Sequence, residues 1–68
     1  MTAKDAVNAI QIMIHAGPEY AIMRADHDIL YIGGWRGKED FPESSDIGQK
    51  LLALGCFISS EDSWALYV

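Results

Sequence analysis

Apolar residues first recur at helical spacing. Ala3, Ala6, Val7, Ile10, Met13 and Ile14 fall three and four positions apart, the period that lines one face of an α-helix. Ala9, Ile12 and Ala16 widen that face, so the pattern predicts a well-buried helix over residues 3–16. Thr2 supplies an N-cap hydroxyl, and Asp5, three residues on, sets an acid near the positive end of the helix dipole. Gly17 and Pro18 stop the helix, the first as a C′ residue and the second because proline cannot continue it.

The period then shortens to two. Residues 19–25 read as a strand in which Tyr20 and Ile22 alternate with Ala21 and Met23. Asp26, His27 and Asp28 are turn formers, and Ile29-Leu30-Tyr31-Ile32 is a second, β-branched and aromatic strand, so the two predict a hairpin. Residues 33–43 mix three glycines with two basic residues, three acids and two aromatics, and read as an irregular exposed connection. A second helix starts near Ser44 or Ser45, with Asp46 in its first turn. It carries Ile47, Leu51 and Leu54 on one face beside Leu52, and ends at Gly55. Gly48 inside it costs about 1 kcal/mol of helix propensity relative to alanine, or permits close packing. A third strand covers 56–59, residues 60–63 make a polar turn, and a fourth strand runs over 64–68 with Trp64, Leu66 and Val68 on one face.

The order is helix, hairpin, helix, hairpin, and the halves resemble each other as two αββ units. The expected fold is α+β: αββαββ, a four-stranded antiparallel sheet with two helices on one face, whose other face exposes residues such as Tyr20, Tyr31 or Tyr67. The alternative is a winged-helix-like arrangement, which wants a basic recognition helix where this chain offers only Lys50.

Length and charge narrow the function. The 68 residues, half of them hydrophobic, make a single domain over residues 1–68 without room for a second core. A dinucleotide fold, a barrel or a two-domain cleft is excluded by size. Cys56 is the single cysteine, so no intramolecular disulfide exists, and one Cys with two His makes no structural zinc site. The opening Met1-Thr2-Ala3-Lys4-Asp5 lacks the basic run and apolar stretch of a signal peptide, and no apolar run spans a membrane. A cytoplasmic location is expected. The net charge of −5 disfavours direct nucleic-acid or anionic-membrane binding and favours a protein partner with a basic surface.

Candidate chemistry is sparse. No nucleophile elbow, phosphate loop or paired-His metal motif is present, so neither an enzyme nor a cofactor is expected. His27 between Asp26 and Asp28, and His15 near the end of the first helix, read as turn and capping chemistry. Cys56 follows a helix C-terminus, which disfavours thiolate, and reads as a small buried hydrophobe. The expected partner-binding residues are Trp35, Arg36, Lys38, Glu39, Asp40 and Glu43 in the irregular segment, with aromatic and Arg anchors for affinity and acids for steering. If both hairpin turns lie at one end of the sheet, Asp26, Asp28, Glu61 and Asp62 form an acidic rim. If the uncharged last strand lies at an edge, Trp64, Leu66 and Tyr67 offer a dimer edge.

In size and charge the whole chain is similar to small inhibitors encoded by phages and other mobile elements, including anti-CRISPR proteins. The resemblance implies a non-enzymatic binding protein that occupies a partner's surface, an inhibitor of a nucleic-acid-handling protein. The alternative functions are a structural or regulatory homodimeric module and a small winged-helix DNA-binding regulator.

Overall fold

The computed structural model describes residues 2–21 and 23–67, without the side chains of residues 18, 21 and 23. Ile22 and Val68, which the sequence pattern assigns to strands, lie outside the described residues.

Helix α1 (Ala3–Ala16) forms where its period predicts, with the Thr2 hydroxyl accepting the Asp5 amide at 3.2 Å. Its buried line is narrower than the pattern suggests. Ala9 and Met13 are buried, whereas Val7 and Ile14, on its flank, are about half exposed at 51% and 49%. The Gly17 amide closes the helix on the Met13 carbonyl. The chain then differs from the expected strand: Pro18–Ala21 is a 3₁₀ turn, and strand β1 spans Met23–Asp26. Proline suits the first position of a helical turn because its missing N–H would be unpaired there. The turn carries Tyr20 to the helical side of the sheet, edge-on to Phe41, with its hydroxyl donating to Asp40 at 2.9 Å. That bond raises the Tyr20 pKa, because the proton is held against a carboxylate.

Strand β2 (Ile29–Ile32) returns antiparallel through a two-residue turn in which His27 adopts a left-handed φ of 54°. Residues 33–43 are more ordered than their composition suggests. They contain the short helix α2 (Gly37–Asp40), tied down by the fully buried Trp64, whose indole N–H donates to the Phe41 carbonyl at 2.9 Å. Helix α3 (Asp46–Ala53) is capped by Ser45, whose hydroxyl oxygen accepts the Gly48 amide at 3.0 Å. Gly55, at φ 92°, ends it in a Schellman turn, with the Cys56 amide reaching back to the Leu51 carbonyl at 3.0 Å. Strands β3 (Phe57–Ile58) and β4 (Trp64–Tyr67) form the second hairpin.

The four strands form one antiparallel sheet in the order β1-β2-β4-β3. The first hairpin and the second thus meet through their second strands, as the two αββ halves imply. Joining both hairpins into one sheet is not a winged-helix arrangement, so the αββαββ reading holds. Leu30, Ile32, Trp64 and Leu66 share the face covered by the helices and pack with Ala9, Met13, Leu51 and Cys56 in one core. Both main helices therefore lie on one side, and the opposite face of the sheet carries no helix.

Two expectations fall with this register. Ile29 pairs with Tyr67 at the end of the sheet that bears the first turn, while Ile32 pairs with Trp64 at the end that bears the second. The acids Asp26 and Asp28 therefore sit at one end, and Glu61 and Asp62 at the other; they do not gather into one rim. Strand β4 is interior and paired on both sides, with Trp64 and Leu66 fully buried, so Trp64, Leu66 and Tyr67 form no dimer edge.

Candidate functional site

The uncovered face is built by strand alternation. Every second residue of each strand points away from the helices: Arg24 and Asp26 on β1, Ile29 and Tyr31 on β2, Ala65 and Tyr67 on β4, and Phe57 on β3. The register sets Arg24, Tyr31, Ala65 and Phe57 in one row across the sheet. Ala65 is the small residue in that row, and its aromatic neighbours leave it fully buried.

Arg24 organises one half of this face. Its guanidinium lies 4.4 Å from the Tyr31 ring centroid and 4.6 Å from that of Trp35, within cation–π range of both. Glu61, from the turn between β3 and β4, pairs with the same guanidinium. The hydrogen bond to Glu61 is the main reason the Arg24 pKa is raised; partial desolvation works against it. Arg24 therefore stays charged and neutralised in place, a rigid plate between two rings. The other half holds Phe57 and Tyr67, stacked with centroids 4.8 Å apart and planes 25° apart. Tyr67 remains 58% exposed and Trp35 66% exposed. Trp35 therefore does not fold back as a lid over the core.

The remaining residues of the irregular segment are partnered within the molecule. Arg36 pairs with Glu39 at 2.7 Å, an interaction that raises the arginine pKa. Lys38 stands 4.0 Å from Asp62, its amide donating to the Asp62 carbonyl at 2.8 Å, and Asp40 accepts from Tyr20. Glu43 is exposed just before α3, its carbonyl accepting from Gln49 at 2.6 Å. Of the six residues expected to bind a partner, Trp35 alone belongs to the aromatic face. Its cationic neighbour there is Arg24, which sequence reasoning had not placed in the site. Arg24, as the one basic residue within the strands, together with the alternation of Tyr31 and Tyr67, was the available signal; the register that aligns them with Phe57 was not.

Magnitudes rank these groups. Covering the exposed two-thirds of a Trp removes roughly 100–160 Å² from water, worth about 2.5–4 kcal/mol at ~25 cal/mol per Å². An exposed ion pair contributes only about 0.2–1 kcal/mol. Trp35, with Tyr67, is thus the anchor this face offers, and the flanking acids act on approach and orientation.

Other chemistry is thin. Among the described residues no three His, Cys, Asp or Glu side chains come together. His27 is exposed beside Asp26 at 3.6 Å. The buried Cys56 thiol is pushed up to about 11 by burial and, secondarily, by the charge of Asp5, which leaves it protonated and inert at neutral pH. No helix among the described residues is long and apolar enough to cross a membrane. Comparison of the chain with family models, with curated proteins and with solved structures finds no match, so the reading of this face rests on its own geometry.

Proposed function

We propose that the protein is a non-enzymatic binding module that covers a basic surface on a partner protein with the open face of its sheet. The observation that carries this reading is Trp35, two-thirds exposed and held against Arg24 on a sheet face without a helix. Trp, Tyr and Arg are the residue types that dominate interface energetics. Here they are pre-positioned, so little side-chain freedom is lost on binding. Asp26 and Asp28 flank the aromatic centre at one end, Glu61 and Asp62 at the other are paired with Arg24 and Lys38, and the whole chain carries −5. An aromatic centre with one acidic end, in a chain of net negative charge, suits a basic partner surface. A nucleic-acid-handling protein has such a surface, and covering it inhibits the protein; the module would act as that inhibitor.

The test is affinity purification from a host extract with three baits, followed by titration of the recovered partner. Wild type and Lys50→Glu are expected to retain a basic partner at micromolar concentration, with slower association at high salt. Trp35→Ala combined with Tyr67→Ala is expected to lose it. Recovery of no partner by wild type, or equal binding by the double variant, overturns the proposal.

A further inference from the structure

On the helical side of the sheet, α1 and α3 meet over only a short stretch. Between them runs a groove of about 640 Å³, within the roughly 300–1,000 Å³ range of small-molecule sites. Ile12 and Ala16 of α1 face Ile47 and Leu54 from α3 and its C-cap, and the polar positions at its margin include His15 and Lys50. We infer that this groove binds a small amphiphile with an apolar chain and a carboxylate head. It is independent of the aromatic face, which lies on the other side of the sheet.

Three observations select this occupant. The first is the apolar lining: Ile12, Ile47 and Leu54 pack against the core from the partly exposed side, so an alkyl chain here replaces water over hydrocarbon. The second is length. Helix α3 has eight residues, roughly 12 Å at 1.5 Å per residue. That wall is too short to hold the several turns by which a partner's amphipathic helix docks, and suits a single short chain. The third is charge. No carboxylate lines the groove. Arg24, Arg36 and Lys38 each have a carboxylate partner, whereas Lys50, like Lys4 away from the groove, has none within 4.0 Å among the described residues, even with Asp46 one turn before it on the same helix. Against the chain's net charge of −5, which favours cations at long range, an unpaired ammonium beside an apolar trough with no acid in its lining recruits an anionic head at contact. The His15 imidazole, on the facing helix, adds a hydrogen-bond donor to the same margin.

The experiment is an NMR titration of the labelled chain with decanoate, decylamine and decanol, each below its aggregation threshold. Decanoate is expected to give saturable shifts at the Ile12, Ala16, Ile47 and Leu54 methyl groups, and to bind about ten-fold tighter than decylamine. Lys50→Glu is expected to reverse that order. Ala53→Trp, at an exposed position lining the groove, is expected to fill it and abolish the shifts while leaving the core spectrum intact. Absence of saturable shifts with decanoate overturns the inference. So does equal or tighter binding of decylamine or decanol by wild type, unchanged preference in Lys50→Glu, or shifts that persist in Ala53→Trp.

Discussion

Replacing Gly48 by alanine sets two opposed effects against each other, and the structure decides the sign. Alanine is the better helix former by about 1 kcal/mol, so propensity alone predicts a more stable α3. A Cβ at this position, however, would run into the Pro42 carbonyl group and approach the Glu43 Cα to 3.0 Å, all of it backbone. The Pro42 oxygen cannot withdraw freely. It accepts the Ser45 amide at 2.8 Å and the Ser45 hydroxyl at 2.6 Å, and that hydroxyl oxygen in turn accepts the Gly48 amide. The intruding methyl thus strains the N-cap of its own helix. Overpacking costs about 1–3 kcal/mol, and a weakened cap adds up to about 1 kcal/mol. Against the propensity gain, the net loss is up to about 3 kcal/mol, from a total of about 3–10 kcal/mol for a chain of this length. Urea denaturation monitored by circular dichroism reads this as a midpoint lowered by up to roughly 3 M at an unchanged slope of about 1 kcal/mol per M. In a Ser45→Ala background the same substitution should cost less, since the constraint it violates is already loosened. A Gly48→Ala variant with a raised midpoint would refute the reasoning, because the close approach of α3 to the Pro42 backbone would then be absent.

Two further outcomes follow from the interior. Trp64→Phe removes the donor to the Phe41 carbonyl and leaves a void beside Gly37, and is expected to cost about 2–4 kcal/mol by urea denaturation and to speed hydrogen exchange at the Lys38 and Phe41 amides; a loss below about 0.5 kcal/mol contradicts it. The Cys56 thiol, raised from 9.0 to about 11, is favoured in its protonated form by the fold. Its contribution of about 2–3 kcal/mol is therefore complete below pH 9 and lost as pH rises through about 11. Alkaline titration of wild type and Cys56→Ala should show this extra loss in wild type alone, and a disulfide reagent at pH 8 should label native Cys56 about a hundred-fold more slowly than an exposed thiol; equal labelling contradicts it.

How much of this was legible beforehand differs by element, for physical reasons. Helix α1 was readable to the residue because capping by Thr2 and stopping by Gly17-Pro18 are local signals. Ser45 and Gly55 did the same for α3. The stretch after Pro18 misled, since Tyr20 and Ile22 alternate like a strand while proline and the Tyr20–Asp40 bond favour a 3₁₀ turn. The irregular segment misled in the opposite sense: its glycines suggested a free loop, but Gly37 is there to let α2 approach Trp64 closely. Trp35 was singled out by residue type, and the fold leaves it exposed beside Arg24. Its real companions, Arg24, Tyr31 and Tyr67, come from strands whose relative register is a long-range property that no local pattern contains. The same register separates the two acidic turns and decides between the two positions, edge or centre, that the sequence left open to β4.

The pairing of β2 with β4 has a consequence for how the molecule assembles. Within each hairpin the partners are close in sequence, as Asp26 is to Ile29. The central seam joins Ile29 to Tyr67 and Ile32 to Trp64, across about half the length of the chain. A lone two-stranded hairpin is marginal in water, so neither half holds its own sheet until the seam forms. Loop closure must come before the Trp64 and Leu66 contacts that reward it. The folding barrier is therefore concentrated at a single zipper between two otherwise incomplete halves, and the chain behaves kinetically as a tethered dimer of αββ units, for which the segment between the halves sets the effective concentration.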